Sequence, residues 1–183
     1  MIWTVILSIF AILVGLIVVT FVTFLIVGRF LRKEYSGEVE AILDRPLEDV
    51  WKAINDFDAH PVSAQMCRQV THQQNAAGED VWIEDIGSSK ISVTIESRQV
   101  PNQLVRKMVD GSLPMISICA VDLESIGDGC RITASNAITV NDGTWHVPFF
   151  RSILFFFGMT RKGMKAYVTH VAKGLETKPE FSK

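Results

Sequence analysis

Four histidines, His60, His72, His146 and His170, are the side chains in this 183-residue sequence whose ordinary pKa suits acid or base work at neutral pH. A catalytic base also needs a second group to hold it, and none of the four has such a partner at a diagnostic spacing. His60 lies near Asp58 ahead of Pro61, His146 follows Trp145, and His170 falls in the C-terminal segment, so each fits a surface or capping role better than a catalytic one. Glu84 and Asp85 are adjacent acids, yet neighbours on a strand point to opposite faces. Cys67, Cys119 and Cys130 form no CxxC pair and are odd in number, which fits small buried hydrophobes rather than a zinc site or disulfide framework. The sequence has no GxSxG elbow, HExxH pair or phosphate loop, and Gly127-Asp128-Gly129 reads as a hairpin turn. The residues alone therefore assign no catalytic group, no metal ligand and no cofactor.

The first 28 residues carry no ionisable side chain and are mostly Ile, Val, Leu and Phe. A helix of this length reaches about 40 Å, enough to cross a hydrocarbon layer of about 30 Å with some tilt. A cleaved signal is the alternative, but the start is uncharged and the run is followed by Arg29, Phe30, Leu31, Arg32 and Lys33 rather than small residues. Residues 1–28 are therefore expected to be a retained transmembrane anchor, single-pass, and the basic cluster behind them places the C-terminal domain in the cytoplasm. Residues 29–37 read as a juxtamembrane linker, 38–177 as one domain and 178–183 as a tail. With 18 basic and 20 acidic residues and a pI near 6.1, the chain lacks the basic face that nucleic acid requires.

Residues 38–43 alternate polar and apolar and predict a first strand, and 46–56 predict a short helix with Leu47, Val50, Trp51 and Ile54 on one face. A second short helix is expected around 62–68. Segments 80–86, 90–100, 104–109, 115–125 and 130–140 predict strands in an antiparallel meander, separated by Gly, Pro and Asn turns. Their inner rows are Ile91, Val93 and Ile95, then Met115, Ser117, Cys119, Val121 and Leu123, then Ile132, Ala134, Asn136, Ile138 and Val140. A long helical region over 147–175 follows, with Phe150, Ile153, Phe157, Met164, Val168, Val171 and Leu175 at helical spacing and a kink or break at Gly158 or Gly163. The plan is α+β, a curved antiparallel sheet wrapped around a C-terminal helix.

Residues 38–176 resemble the polyketide cyclase/dehydrase and lipid-transport superfamily, whose START-like (SRPBCC) members have the helix-grip fold. The resemblance rests on RPLEDVWKAINDFDAHP, LESIGDGCRITASNAITV and VPFFRSILFFFGMTRKGMKAYVTHVAKGLE. It departs where Val62 and Ser63 replace a tryptophan common after Asp-Phe-Asp, and where Ile116 and Ile118 replace an aromatic. The resemblance implies an internal pocket for a lipid, isoprenoid or quinone, sterol or polyketide. Placed on the inner rows, that pocket would take Ile91, Val93, Ile95, Met115, Ser117, Cys119, Val121, Ile132, Ala134, Asn136, Ile138, Phe150, Phe157 and Met164, with Ser117, Cys119 and Asn136 as polar contacts. Three functions stay open: a membrane-tethered carrier of such a ligand, a cyclase or hydrolase acting on it, and a membrane-localised module for a protein partner. The dense phenylalanines Phe149, Phe150, Phe155, Phe156 and Phe157 are expected to touch the bilayer or gate the pocket, or else to be buried across the kink.

Overall fold

The computed structural model describes residues 2–182, with the side chain of Ile2 left out of account. Helix α1 (Ile2–Phe30) stands at the N-terminus, and its first five turns project away from the rest with their side chains exposed. By length and composition it can cross a membrane. Strand β1 (Glu34–Leu43) follows almost at once. The segment expected as a linker is thus the end of α1 and the start of β1, because Tyr35 has a core to enter: it is 4 % exposed against Val140, Val147 and Leu154.

Helix α2 (Leu47–Asn55) starts after Pro46 with Glu48 and Asp49 in its first turn, where the helix dipole favours them, and it buries Leu47, Val50, Ala53 and Ile54. Residues 62–68 form turns rather than the expected second helix. The main-chain N–H groups of Val62 and Ser63 donate to the Glu84 carboxylate, both at 2.9 Å, and the Arg68 N–H donates to the Asp85 carbonyl at 2.8 Å, so both ends of the short segment are tied to the neighbouring strand.

The meander comprises β2 (Gln69–Gln74), β3 (Asp80–Asp85), β4 (Lys90–Gln99), β5 (Gln103–Asp110), β6 (Met115–Ile126) and β7 (Gly129–Val140). β2 was absent from the sequence expectation; its side chains are nearly all exposed, so it carries no alternation of apolar residues. Sheet order is β2-β3-β4-β5-β6-β7-β1-β8, antiparallel throughout, and the two-residue strand β8 (Glu180–Phe181) pairs with β1 at Ala41 and Ile42. The expected tail therefore closes the sheet edge. A register shift between Ile95 and Ser97 opposite β5 interrupts β4, the kind of bulge that bends a sheet.

The C-terminal helical region is divided into α3 (Val147–Phe157) and α4 (Met159–Gly174) at Gly158, whose φ of 56° is the left-handed conformation glycine adopts without Cβ strain. Gly163 lies within α4. Helix α4 packs Met164, Tyr167, Val168, Val171 and Ala172 onto the inner rows of the sheet, with α2 closing the far side. Helix α3 covers a smaller cluster and turns its other face to α1. There Phe21 meets Phe149 at 5.0 Å between ring centroids, Phe24 meets Phe156 at 5.4 Å, and the Ser152 hydroxyl donates to the Phe24 carbonyl at 2.8 Å. A Cβ on Gly28 would lie 1.7 Å from the Pro148 carbonyl oxygen, so this crossing needs glycine.

Candidate functional site

Between the mouth of the sheet and α4 lies a groove of about 150 Å³. Ile91 of β4, Met108 of β5, Met115 and Ser117 of β6, and Asn136 and Ile138 of β7 supply the sheet wall. Gly163, Met164, Ala166 and Tyr167 of α4 supply the other wall, and residues 62–66 form the rim. Larger hollows of about 480 Å³ at residues 32–36 and about 710 Å³ beside Asp44 and Lys173 are open surface concavities between mostly polar and charged residues. The groove is the concavity placed where a sheet grips a helix.

Six of the expected ligand residues, Ile91, Met115, Ser117, Asn136, Ile138 and Met164, are brought together here. Val93, Cys119, Val121, Ile132 and Ala134 lie deeper, each at most 1 % exposed, and pack directly against α2 and α4 as solid core, while Ile95 packs on the edge of that core. Phe150 belongs to the separate cluster under α3, and Phe157, 51 % exposed, borders a surface hollow with Val39, Glu40 and Arg161. The break at Gly158 separates these two from the groove, since it ends the helical periodicity that had aligned them with Met164. Of the expected polar contacts, Ser117 and Asn136 hydrogen-bond each other on the groove wall, whereas Cys119 is sealed below with its sulfur 3.8 Å from that of Met164.

Sequence reasoning passed over Arg106. On β5 the inward row is Leu104, Arg106, Met108 and Asp110, so a guanidinium occupies an otherwise apolar face at a spacing of two. The signal was present in QLVRKMVD, where Leu104, Arg106 and Met108 share a side. Arg106 is 0 % exposed, and its Cζ lies 5.3 Å from the Phe57 ring centroid and 4.9 Å from that of Tyr167. None of Nε, Nη1 and Nη2 makes a hydrogen bond of good geometry, and neither does the buried Tyr167 hydroxyl, although that phenol and the Cys119 thiol lie close to the guanidinium. Burial opposes the charge on Arg106, but the Tyr167, Cys119 and Glu84 groups around it favour the cation and its proton is held more tightly than usual. Burial pushes the Tyr167 phenol and the Cys119 thiol up, so both stay neutral beside it.

Glu84, 2 % exposed, is the buried carboxylate that acts on Arg106, and its oxygens accept from Val62 N, Ser63 N and the Ser63 hydroxyl. It fastens the rim of the groove to β3. Among the described residues no cluster of three metal-ligating side chains occurs. The histidines lie elsewhere: His72 pairs with Asp80, His146 with Thr144, and His170 with the Ala59 carbonyl beside His60.

No family model and no curated protein matches the chain in sequence. Solved structures match in fold. The Zhui aromatase/cyclase from Streptomyces sp. R1128 superposes with a TM-score of 0.63 at 8 % identity, covering 78 % of this chain and 94 % of that one. Truncated norcoclaurine synthase from Thalictrum flavum gives 0.58 at 13 % identity, with 78 % and 93 % covered. An uncharacterized protein from Rhizobium leguminosarum gives 0.52 at 11 % identity, with 78 % and 95 % covered. Behind its apolar N-terminal helix the chain is thus a helix-grip domain, an α+β fold that it shares with an aromatase/cyclase and with norcoclaurine synthase.

Proposed function

We propose that this protein is a membrane-tethered binding or carrier domain for a hydrophobic small molecule, with the groove between α4 and the sheet as its site. The observation that carries the reading is the groove itself: methionines 108, 115 and 164 with Ile91 and Ile138 line it, and flexible thioethers suit an apolar occupant of variable shape. Its position supports the tether. Met115 and Ile138 both line the groove and pack on the cluster beneath α3, and α3 in turn packs on α1, so the site stands beside the helix that enters the bilayer. Arg29, Arg32 and Lys33 at the end of α1 suit anionic headgroups on the cytoplasmic side. Holding the domain there raises its encounter rate with lipid-dissolved ligand without any further contact.

The fold is also used by an aromatase/cyclase and by norcoclaurine synthase, so turnover of the bound molecule is the second reading. Both are tested by isolating the full chain from membranes, extracting it and identifying retained molecules by mass spectrometry, beside a Gly163→Phe variant. Gly163 lines the groove and a Cβ there meets open space, so the ring fills the groove without a backbone clash. A stoichiometric apolar molecule kept by the natural chain and lost from the variant is expected. Equal retention, or none in either, overturns the reading, and chemical change of the molecule on incubation favours the enzyme.

A further inference from the structure

Two of the buried polar groups that the fold leaves unanswered, Arg106 and Tyr167, face each other in the main core. Arg106 offers five N–H donors and Tyr167 one O–H, and both are 0 % exposed; the Tyr167 phenol and the Cys119 thiol lie close to the guanidinium, but no donor of either residue makes a hydrogen bond of good geometry and no anion faces them. The buried carboxylate that acts on Arg106, Glu84, spends its oxygens on Val62 and Ser63. A guanidinium removed from water without an acceptor costs several kcal/mol, which stacking between Phe57 and Tyr167 offsets only in part. Tyr167 belongs to both places: it lines the groove, and its ring lies 4.9 Å from Arg106 Cζ. Met108, two residues along the same inward row, also lines the groove, so the guanidinium sits one step beyond its inner end.

We propose that Arg106 and Tyr167 form an oxyanion subsite that receives the carboxylate of a ligand whose apolar body occupies the groove. This rests on the groove being a ligand site. A carboxylate fits because its two oxygens match the planar fork of arginine, and a third donor from the phenol completes it. A doubly charged phosphate fits less well, since one cation faces it while the buried Glu84 repels it. Entry requires the Tyr167 ring to turn from Arg106, and the methionine wall beside it is compliant.

The test uses the full chain in nanodiscs at pH 7.5, with empty nanodiscs as reference, and three probes sharing one ring system: 1-naphthoate, methyl 1-naphthoate and 1-naphthyl phosphate. Naphthoate is expected to bind at least tenfold more tightly than its ester, with the phosphate weaker than the carboxylate. In Arg106→Met the ester affinity should persist while the preference for the acid disappears, and melting temperature reports whether that variant folds. Equal affinity of acid and ester for the natural chain overturns the subsite and leaves the groove standing, whatever the variant does. Tighter binding of the phosphate overturns the carboxylate assignment, and failure of all three probes overturns the groove reading together with the subsite.

Discussion

Asp110 is the last inward residue of β5, and it closes the turn into β6 by accepting from the Ser89 hydroxyl and from the main-chain N–H groups of Ser112 and Leu113 at 2.7–2.9 Å. Burial raises its pKa, but these donors win and hold the carboxyl below its ordinary 3.8. A depressed folded pKa means that the unfolded chain binds the proton more readily, so the stability from Asp110 is present above pH 3.8 and lost as pH falls through the folded value. Asp110→Ala should cost about 1–3 kcal/mol at neutral pH in a denaturant titration, and the gap from the natural chain should shrink under acid. Glu84 acts on the groove in the same residue-level way. Glu84→Ala strips the acceptors from Val62 and Ser63 and leaves Arg106 with no buried counter-charge, so a loss of about 3–5 kcal/mol is expected, with limited proteolysis cutting first within residues 62–68.

At the scale of elements, the helix that grips the sheet is also the helix that leaves space beside it. Gly163 sits inside α4 with open space where its Cβ would be, so it weakens the helix without relieving any contact. Gly163→Ala should therefore stabilise the domain by about 1 kcal/mol, read as a rise in melting temperature. A fall would mean that α4 needs flexibility at that point. The break at Gly158 has a different effect. It frees α3 to turn its phenylalanines to α1 while α4 keeps Met164, Tyr167 and Val168 on the sheet, so one apolar segment serves two surfaces.

At the scale of the whole molecule, α3 carries Phe155, Phe156 and Phe157 exposed, and Trp145 in the turn just ahead of it is 71 % exposed and 6.2 Å from the Phe21 ring of α1. An aromatic cluster flanking an apolar helix fits the interfacial layer of a bilayer. In proteoliposomes with brominated lipid and a Trp3→Phe background, which removes the tryptophan of the apolar helix, part of the remaining fluorescence should be quenched by shallow bromine labels, and that part should vanish when Trp145→Phe is added. Unchanged quenching in the variant would place α3 away from the lipid.

The fold was largely legible in the residues because its signals are local: a charge-free run of 28 residues, alternation in KISVTIES and in β6 and β7, and Gly-Asp-Gly at a hairpin. Five groove residues could be named from strand alternation and Met164 from helical spacing, since inward-facing positions of neighbouring strands must meet. Alternation tells which side a residue faces, and it is silent on how far along the strand the wall stays packed. Only the tertiary structure divided the inner rows into solid core at Cys119, Val121 and Ala134 and open groove at Met115, Ser117 and Asn136, because that depends on where α4 and residues 62–66 come to rest. Likewise, Leu104, Arg106 and Met108 can be placed on one face from sequence, but the isolation of the Arg106 guanidinium could not. Whether a buried charge is paired is decided by groups distant in the chain, here Phe57, Glu84 and Tyr167, and their positions follow from packing rather than from any local pattern.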